Sequence, residues 1–352
     1  MLEMPEDDLF FQICAWPNLW LAWQRAAKGK RGGMAAARFE FRLADELLQL
    51  QEELRNETYR PGPYTHFVIE EPKRRIISAA PFRDRVVHHA LCNVIEPLFE
   101  RHFISDSYAN RIGKGTHRAI KRFQMFSRRY AYCLCLDIRK HFESIDHAIL
   151  KKILAHRIQD ERVMALIGHI LRSGENIPGG TQASLFPGDD LLDLCRPKGL
   201  PIGNLTSQFW SNCYLHPVDQ FIKRELGCRA YLRYVDDLAL FSNNKKILWQ
   251  WKQAIAGRLA ELRLRFHEGP AQVRPVQVGI PWLGFVIFPT HLRLKARKVA
   301  EARRHLVALH ARFLAGEISY ARFKAAIQGW IAHVAHGDTW GLRESILSRL
   351  SW

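Results

Sequence analysis

The chain has 352 residues, 47% hydrophobic and 25% charged, an ordinary globular balance that excludes long disorder and allows one or two buried cores. Its 52 Lys and Arg against 35 Asp and Glu give a formal charge of +17, which favours a polyanionic partner, either nucleic acid or an anionic membrane surface. No apolar run approaches the ~20 residues of a spanning helix. The acidic start, Met1 to Asp8, lacks the basic and apolar regions of a signal peptide. Nucleic acid is therefore the better partner, and the seven cysteines, with no Cys-x-x-Cys pair, are expected to be reduced in a cytoplasmic protein.

Residues 1 to about 60 read as helical, with Trp16, Trp20 and Trp23 near the front and a basic Gly-rich break at Lys28–Gly33. Pro61-Gly62-Pro63 ends this region. Tyr64 to Ala80 predicts a strand pair around Glu70 to Arg75, and Val87, Leu91, Val94 and Leu98 mark a helix after it. Tyr132 to Ile138 is a strand, with Cys133 and Cys135 on one face. Ser173 to Gly199, rich in Gly and Pro, reads as a long loop with room for a short hairpin. Leu205 to Leu226 predicts a helix kinked or interrupted at Pro217. Ala230 to Phe241 reads as two strands about a tight turn, and Ile280 to Phe288 as a further strand segment.

The last sixty residues form a helical lobe. Val299, Ala302, Leu306, Leu309 and Phe313 mark one amphipathic helix, and Tyr320, Phe323, Ile327, Ile331 and Val334 a second. A short third carries Leu342, Ile346 and Leu350. Arg293, Lys295, Arg297, Lys298, Arg303 and Arg304 are expected on the basic outer face.

Chemistry concentrates at Tyr234-Val235-Asp236-Asp237. Adjacent carboxylates at a strand-turn-strand apex repel unless a cation lies between them, and Mg²⁺ prefers a few carboxylates together with phosphate oxygens. A plain hairpin with Asp-Asp in its turn is the competing reading. Upstream, Leu134-Cys135-Leu136-Asp137-Ile138 ends a buried strand on a third carboxylate. Three such groups suit a two-metal site, in which one ion activates a 3′-hydroxyl and the other holds pyrophosphate. Gly113-Lys114-Gly115-Thr116 lacks the spacing of a P-loop and is rejected as one.

Asp137 to His147, Gly199 to Gln208 and Tyr231 to Phe241 resemble, in order, motifs A, B and C of reverse transcriptases. Pro72 to Ile77 with Phe82 to Val87 resembles the fingers motifs, Ser107 to Gly115 a template-contacting segment, and Gly279 to Phe285 the primer grip. The resemblance covers about residues 60 to 350. It implies an α+β right-hand polymerase fold: a helical extension over 1–60, fingers over 61–130, a palm over 131–292 with an antiparallel sheet and helices on one face, and a helical thumb over 293–352. It implies RNA-directed DNA polymerisation, with Asp137, Asp236 and Asp237 catalytic. Asp137, Ile138, Asp236 and Asp237 would ligate two Mg²⁺ ions, with Mn²⁺ able to substitute. Lys73 and Arg75 would clamp the dNTP triphosphate. Phe142 would exclude a 2′-hydroxyl, and Ile202, Gly203 and Gln208 would border the nascent base pair. Trp282, Leu283 and Gly284 would place the primer end.

Ile202-Gly203 and Ser207-Gln208 replace the family's usual Gln-Gly and Ser-Pro. That pattern, with the tail Gly337-Asp338-Thr339-Trp340-Gly341, resembles the enzymes of diversity-generating retroelements in prokaryotes or their phages. These copy a template RNA with errors at adenines and work with a small basic, oligomeric accessory protein. An anti-phage defence enzyme, a group II intron-like enzyme and an inactive RNA-binding scaffold are the rival readings. A Lys that many relatives place after the catalytic hairpin is replaced near Pro270, leaving Arg265, His267 or water as the candidate proton donor. The chain ends at Trp352 with no RNase H or endonuclease segment, so priming and template removal are expected of partners.

Overall fold

The computed structural model describes residues 8–70, 74–175, 185–186 and 189–348. In chain order the helices α1 (Leu9–Cys14), α2 (Trp16–Ala27), α3 (Met34–Phe41) and α4 (Leu43–Arg55) lead into the hairpin β1 (Thr65–Ile69) and β2 (Arg75–Ala79). Then come α5 (Phe82–Glu100), α6 (Thr116–Arg129), β3 (Tyr132–Asp137), α7 (His141–Ser144), α8 (His147–Ala155), α9 (Glu161–Ser173) and α10 (Leu205–Gln220). The hairpin β4 (Tyr231–Tyr234) and β5 (Asp237–Ser242) precedes α11 (Lys245–Glu261), β6 (Val273–Pro275), β7 (Ile280–Trp282), β8 (Phe285–Ile287) and β9 (Leu292–Leu294). The chain closes with α12 (Ala296–Leu314), α13 (Tyr320–Val334) and α14 (Trp340–Leu347).

The chain divides into two compact units. The first holds Met1–Ser105, Ile138–Gly227 and Ala254–His267. Its core is built on α5, whose Val86, Val87, Leu91 and Ile95 are fully buried. The four N-terminal helices dock on α5 rather than standing apart. Asn18 in α2 donates to the Ile13 and Ala90 carbonyls and accepts from Asn93. Acidic N-caps start the short helices: Asp146 accepts from the Ala148 and Ile149 amides, and Asp160 from those of Arg162 and Val163. Helix α10 runs through Pro217 without ending there, and changes to a π-helical turn at Phe221–Glu225. Residues 176–184 and 187–188 of the Gly/Pro-rich stretch expected as a loop or hairpin lie outside the described residues; Leu192–Cys195 forms a 3₁₀ turn.

The second unit holds Asp106–Asp137, Cys228–Gln253 and Glu268–Trp352. Its sheet has the order β4-β5-β3-β6, every neighbour antiparallel. A separate meander, β7-β8-β9, follows. Helix α6 covers one face through Phe123 and Phe126, which pack on Phe241 and, for Phe123, on Trp282. The terminal helices carry a core of their own, with Leu306, Phe323 and Ile346 buried. All seven cysteines are free, and among the described residues no helix is long and apolar enough to cross a membrane.

One buried group in α5 strains this order. His88 is 1% exposed, and neither ring nitrogen has a hydrogen-bond partner. Burial, with the charges of His89 and Arg85, drives its pKa down to about 3. The folded pKa lies below the unfolded one, so stability is complete above pH ~6.5 and falls as acid protonates only the unfolded chain. His88→Leu should therefore raise stability at pH 7 by about 1–3 kcal/mol, since the buried polar atoms gain nothing in return. It should also flatten the loss of Tm below pH ~6.5. Thermal melts across pH check this; an unchanged acid limb would refute it.

Candidate active site

The site grows from the β4–β5 hairpin. Tyr234 pairs with Asp237, so Val235-Asp236 is a two-residue turn. Val235 takes φ 54°, a conformation that a β-branched residue adopts only under strain of about 1–3 kcal/mol. Arg233 overrides that cost. Its side chain is fully buried, and its Nη1 donates to the Val235 carbonyl at 3.0 Å. Its backbone is fixed as well, donating to the Asp106 carbonyl at 2.9 Å and accepting from the Tyr108 amide at 3.0 Å. Asp106 is itself anchored by Arg122 at 2.9 Å, and the Tyr234 hydroxyl meets that of Thr116 at 2.8 Å.

Strand β3 delivers the third carboxylate in register. Asp137 lies directly opposite Asp237 in the β3–β5 ladder, a placement in which like charges repel. The effect is visible at Asp237. Burial first, then the charges of Asp236 and Asp137, push its pKa up to about 7, while Lys295 pulls it down. A carboxylate whose proton affinity is raised by two neighbouring carboxylates fits a divalent cation. Among the described residues no three His, Cys, Asp or Glu side chains gather tightly enough to hold a metal alone.

A cavity of about 350 Å³ opens beside Asp137 and Asp237, lined also by Cys133, Cys135, Pro270, Arg274, Trp282 and Lys295. Lys295 corrects the sequence reading. It is half-buried on the cavity wall instead of on an outer basic face, because it sits where β9 hands over to α12. Its amide donates to the Gly284 carbonyl at 3.1 Å, tying that junction to the β7–β8 turn. In that turn Leu283 (φ 43°) and Gly284 (φ 88°) link Trp282 to Phe285 in the type I′ geometry of tight hairpins. Trp282 is buried and stacks on Phe123 at 4.8 Å, so it anchors the turn while Leu283 and Gly284 are partly open.

The expected nucleotide-contacting residues fall in the first unit. Arg75 is exposed at the start of β2, Phe142 is half-buried in α7, and Ile138 is buried opposite Phe266. Lys73 lies outside the described residues. Ile202 and Gln208 are half-buried. The Ile202 carbonyl accepts from the Ser78 amide at 3.0 Å, and the Asn204 side chain donates to the Ser78 carbonyl at 2.9 Å. Gly203, at φ 113°, has no room for a Cβ, which would meet Ile77 at 2.9 Å. Its glycine is thus required by packing against β2, and Asn204, which no pattern marked, is the clamp. Arg265 is engaged elsewhere: it donates to the Leu185 carbonyl at 2.7 Å and stacks over Phe186. His267 is exposed in the first unit.

The raised pKa of Asp237 carries a stability sign. Its folded pKa, about 7, exceeds the ordinary 3.8, so the native state holds the extra proton and stability drains away as pH rises between those values. In metal-free protein, Asp237→Asn should stabilise relative to wild type by an amount that grows over that window and levels off above it. Mg²⁺ should raise the wild-type Tm at pH 8 more than that of the variant. Melts with and without chelator measure both differences, and a pH-independent gap would contradict the like-charge account.

Residues 69–287 match the reverse transcriptase (RNA-dependent DNA polymerase) family, well over half of the chain. Protein YkfC of Escherichia coli is 27% identical over 247 residues, 68% of this chain and 58% of that protein. The group II intron-encoded protein LtrA of Lactococcus lactis is 25% identical over 183 residues, 51% of this chain and 28% of its own. The chain thus spans less than two thirds of the length of either relative. The structure of apo telomerase from Candida tropicalis aligns at TM-score 0.50 and 11% identity, over 67% of this chain and 49% of that one, a likeness of fold alone. Mixed helices and antiparallel sheets, a carboxylate pair on a tight hairpin and a third in register beside it agree with this match: the chain belongs to the reverse transcriptase family, with the right-hand polymerase fold.

Proposed function

We propose that the protein is an RNA-directed DNA polymerase that makes cDNA from a template RNA by two-metal nucleotidyl transfer. The observation that carries this reading is the register pair Asp137–Asp237 with Asp236 at the strained turn, inside a reverse transcriptase domain. Asp137, Asp236, Asp237 and the Ile138 carbonyl would hold two Mg²⁺ ions, or Mn²⁺ in their place. Bound there, the pair supplies Lewis acidity for the 3′-hydroxyl and charge neutralisation for the leaving pyrophosphate. The rest is the work of the chain. Arg233 keeps the Asp236 turn fixed before substrate arrives, and Lys295 holds down the proton affinity of Asp237. Lys295 and Arg274 give the cavity wall a positive potential suited to an anionic backbone. Leu283 and Gly284 would position the primer end, Lys73 and Arg75 the triphosphate, and Phe142 would exclude ribonucleotides.

Ile202 and Gln208 in motif B support a narrower reading, copying that is error-prone at adenines as part of a diversity-generating retroelement, with template RNA, primer, dNTPs and a small basic accessory protein as partners. Similarity to a protein named as group II intron-encoded favours an intron-like enzyme as the second reading. Primer extension with Mg²⁺ on an RNA template tests the core. Wild type should extend with dNTPs and not rNTPs, and Asp236→Asn should lose about 1,000-fold or more in rate. Phe142→Ala should admit rNTPs. Equal extension by Asp236→Asn would sink the proposal. Sequencing the products decides between the narrower readings: errors concentrated at template adenines support the retroelement, and uniformly accurate copies support the intron-like enzyme.

A further inference from the structure

Phe142 sits on a turn of helix too short to hold itself. Helix α7 has four residues, and Lys140 before it takes φ 46°, in the left-handed region. The Ser144 amide closes the turn on the Lys140 carbonyl at 3.0 Å. A single turn leaves most of its carbonyls without helical partners, so its position depends on what meets them from outside. Residues 197–200 meet them, running antiparallel beside α7 with Lys198 bridged to Asp146. The Leu200 amide donates to the Phe142 carbonyl at 2.7 Å, and the Gly199 amide to that of Ile145 at 2.8 Å. The His147 amide donates to the Pro197 carbonyl at 3.1 Å, and His147 Nε2 lies 2.7 Å from the Gly199 carbonyl oxygen.

That segment is itself held by charge. Arg196, immediately before it, pairs through Nε with Asp146 at 3.1 Å and through Nη1 with Asp189 at 2.8 Å. Arg263 pairs with the same two carboxylates at 3.2 and 2.8 Å. Asp146 is 1% exposed and also caps α8, so one buried carboxylate fixes that helix and the segment together. Such pairs keep their geometry because breaking one leaves a charge uncompensated. All of these residues belong to the first unit. We infer that Arg196 is a positioning residue for sugar selection: through Asp146 and Asp189 it locks residues 197–200 onto the Phe142 carbonyl, and so fixes the ring that would exclude a 2′-hydroxyl. The effect on selection rests on the proposed polymerase activity, whereas the brace can be measured without substrate. Loss of Arg196 frees the segment, lets α7 shift and admits ribonucleotides. Arg263 keeps both carboxylates paired meanwhile, so the fold survives.

The test is the ratio of kcat/KM for a dNTP to that for the matching rNTP on one RNA template. A merely destabilised enzyme loses active molecules, which lowers both values together and leaves the ratio alone. Arg196→Met should lower the ratio at least about tenfold. Arg196→Lys, which keeps the charge but not the planar fork, should fall between it and wild type. In a Phe142→Ala background Arg196→Met should change the ratio no further, because the ring it positions is gone. Hydrogen exchange of the substrate-free protein reads the brace itself: peptides over 140–147 and 197–203 should exchange faster in Arg196→Met, with those of α5 unchanged. An unchanged ratio in active Arg196→Met overturns the inference, as does a further drop in the Phe142→Ala background or unchanged exchange over 140–147. Where Arg196→Met fails to fold, Arg196→Lys carries both measurements. Faster exchange over 140–147 in the variant, when wild type never extends a primer, upholds the brace while counting against the polymerase reading.

Discussion

Electrostatic crowding at one end of a sheet is the constraint around which the second unit is organised. Asp137 and Asp237 face each other across the ladder, and Asp236 is the next residue in the turn. Opposite like charges weaken a strand pair, and burial of Asp237 deepens the penalty by removing the water that would screen them. The sheet tolerates this because the rest of the pairing is apolar and dense. Leu134, Leu136, Leu238 and Leu240 are fully or almost fully buried, and Phe241 is locked between Phe123 and Phe126. Stability is spent locally to keep a cation-hungry cluster fixed in place.

Two tight hairpins share this logic. Val235 and Leu283 both adopt positive φ without being glycine, and a hydrogen bond to a carbonyl ties each turn. Arg233 bonds the Val235 carbonyl, and the Lys295 amide bonds that of Gly284. Strained turns persist only when their surroundings over-determine them. Here the surroundings are a buried guanidinium and a strand-to-helix junction, both rigid. The consequence is a pair of turns fixed in advance; in the proposed reaction the carboxylates and the Leu283-Gly284 turn would not need gathering when substrate binds, leaving binding energy for the reaction itself.

Local signals made much of this legible. The two strands about Asp236-Asp237, the strand ending at Asp137 and the three terminal helices follow from period-two and period-3.6 patterning, and each is present. What sequence did not reveal is set by partners distant along the chain. The register Asp137–Asp237 comes from pairing across a hundred residues. Arg233 looks like any basic residue in a strand until Asp106 and Tyr108 close around its backbone. Lys295 belongs to a run of cations, and only the β9–α12 junction sends it to the cavity. At Gly203 an added Cβ would meet Ile77, a packing partner that no local signal indicates. Asn18 and Asn204, both clamps, follow no periodicity at all. Helices α6 and α11 were not anticipated, since motif-bearing loops on either side drew the reading.

The row Cys133, Cys135 and Asp137 on β3 joins these themes. A residue two places from Asp137 shares its face by geometry alone, so Cys135 lines the same cavity. Packing explains Cys133, which is 1% exposed within the core under α6. It does not explain Cys135, half-buried opposite Ala239, where a thiol contributes little that another small side chain would not.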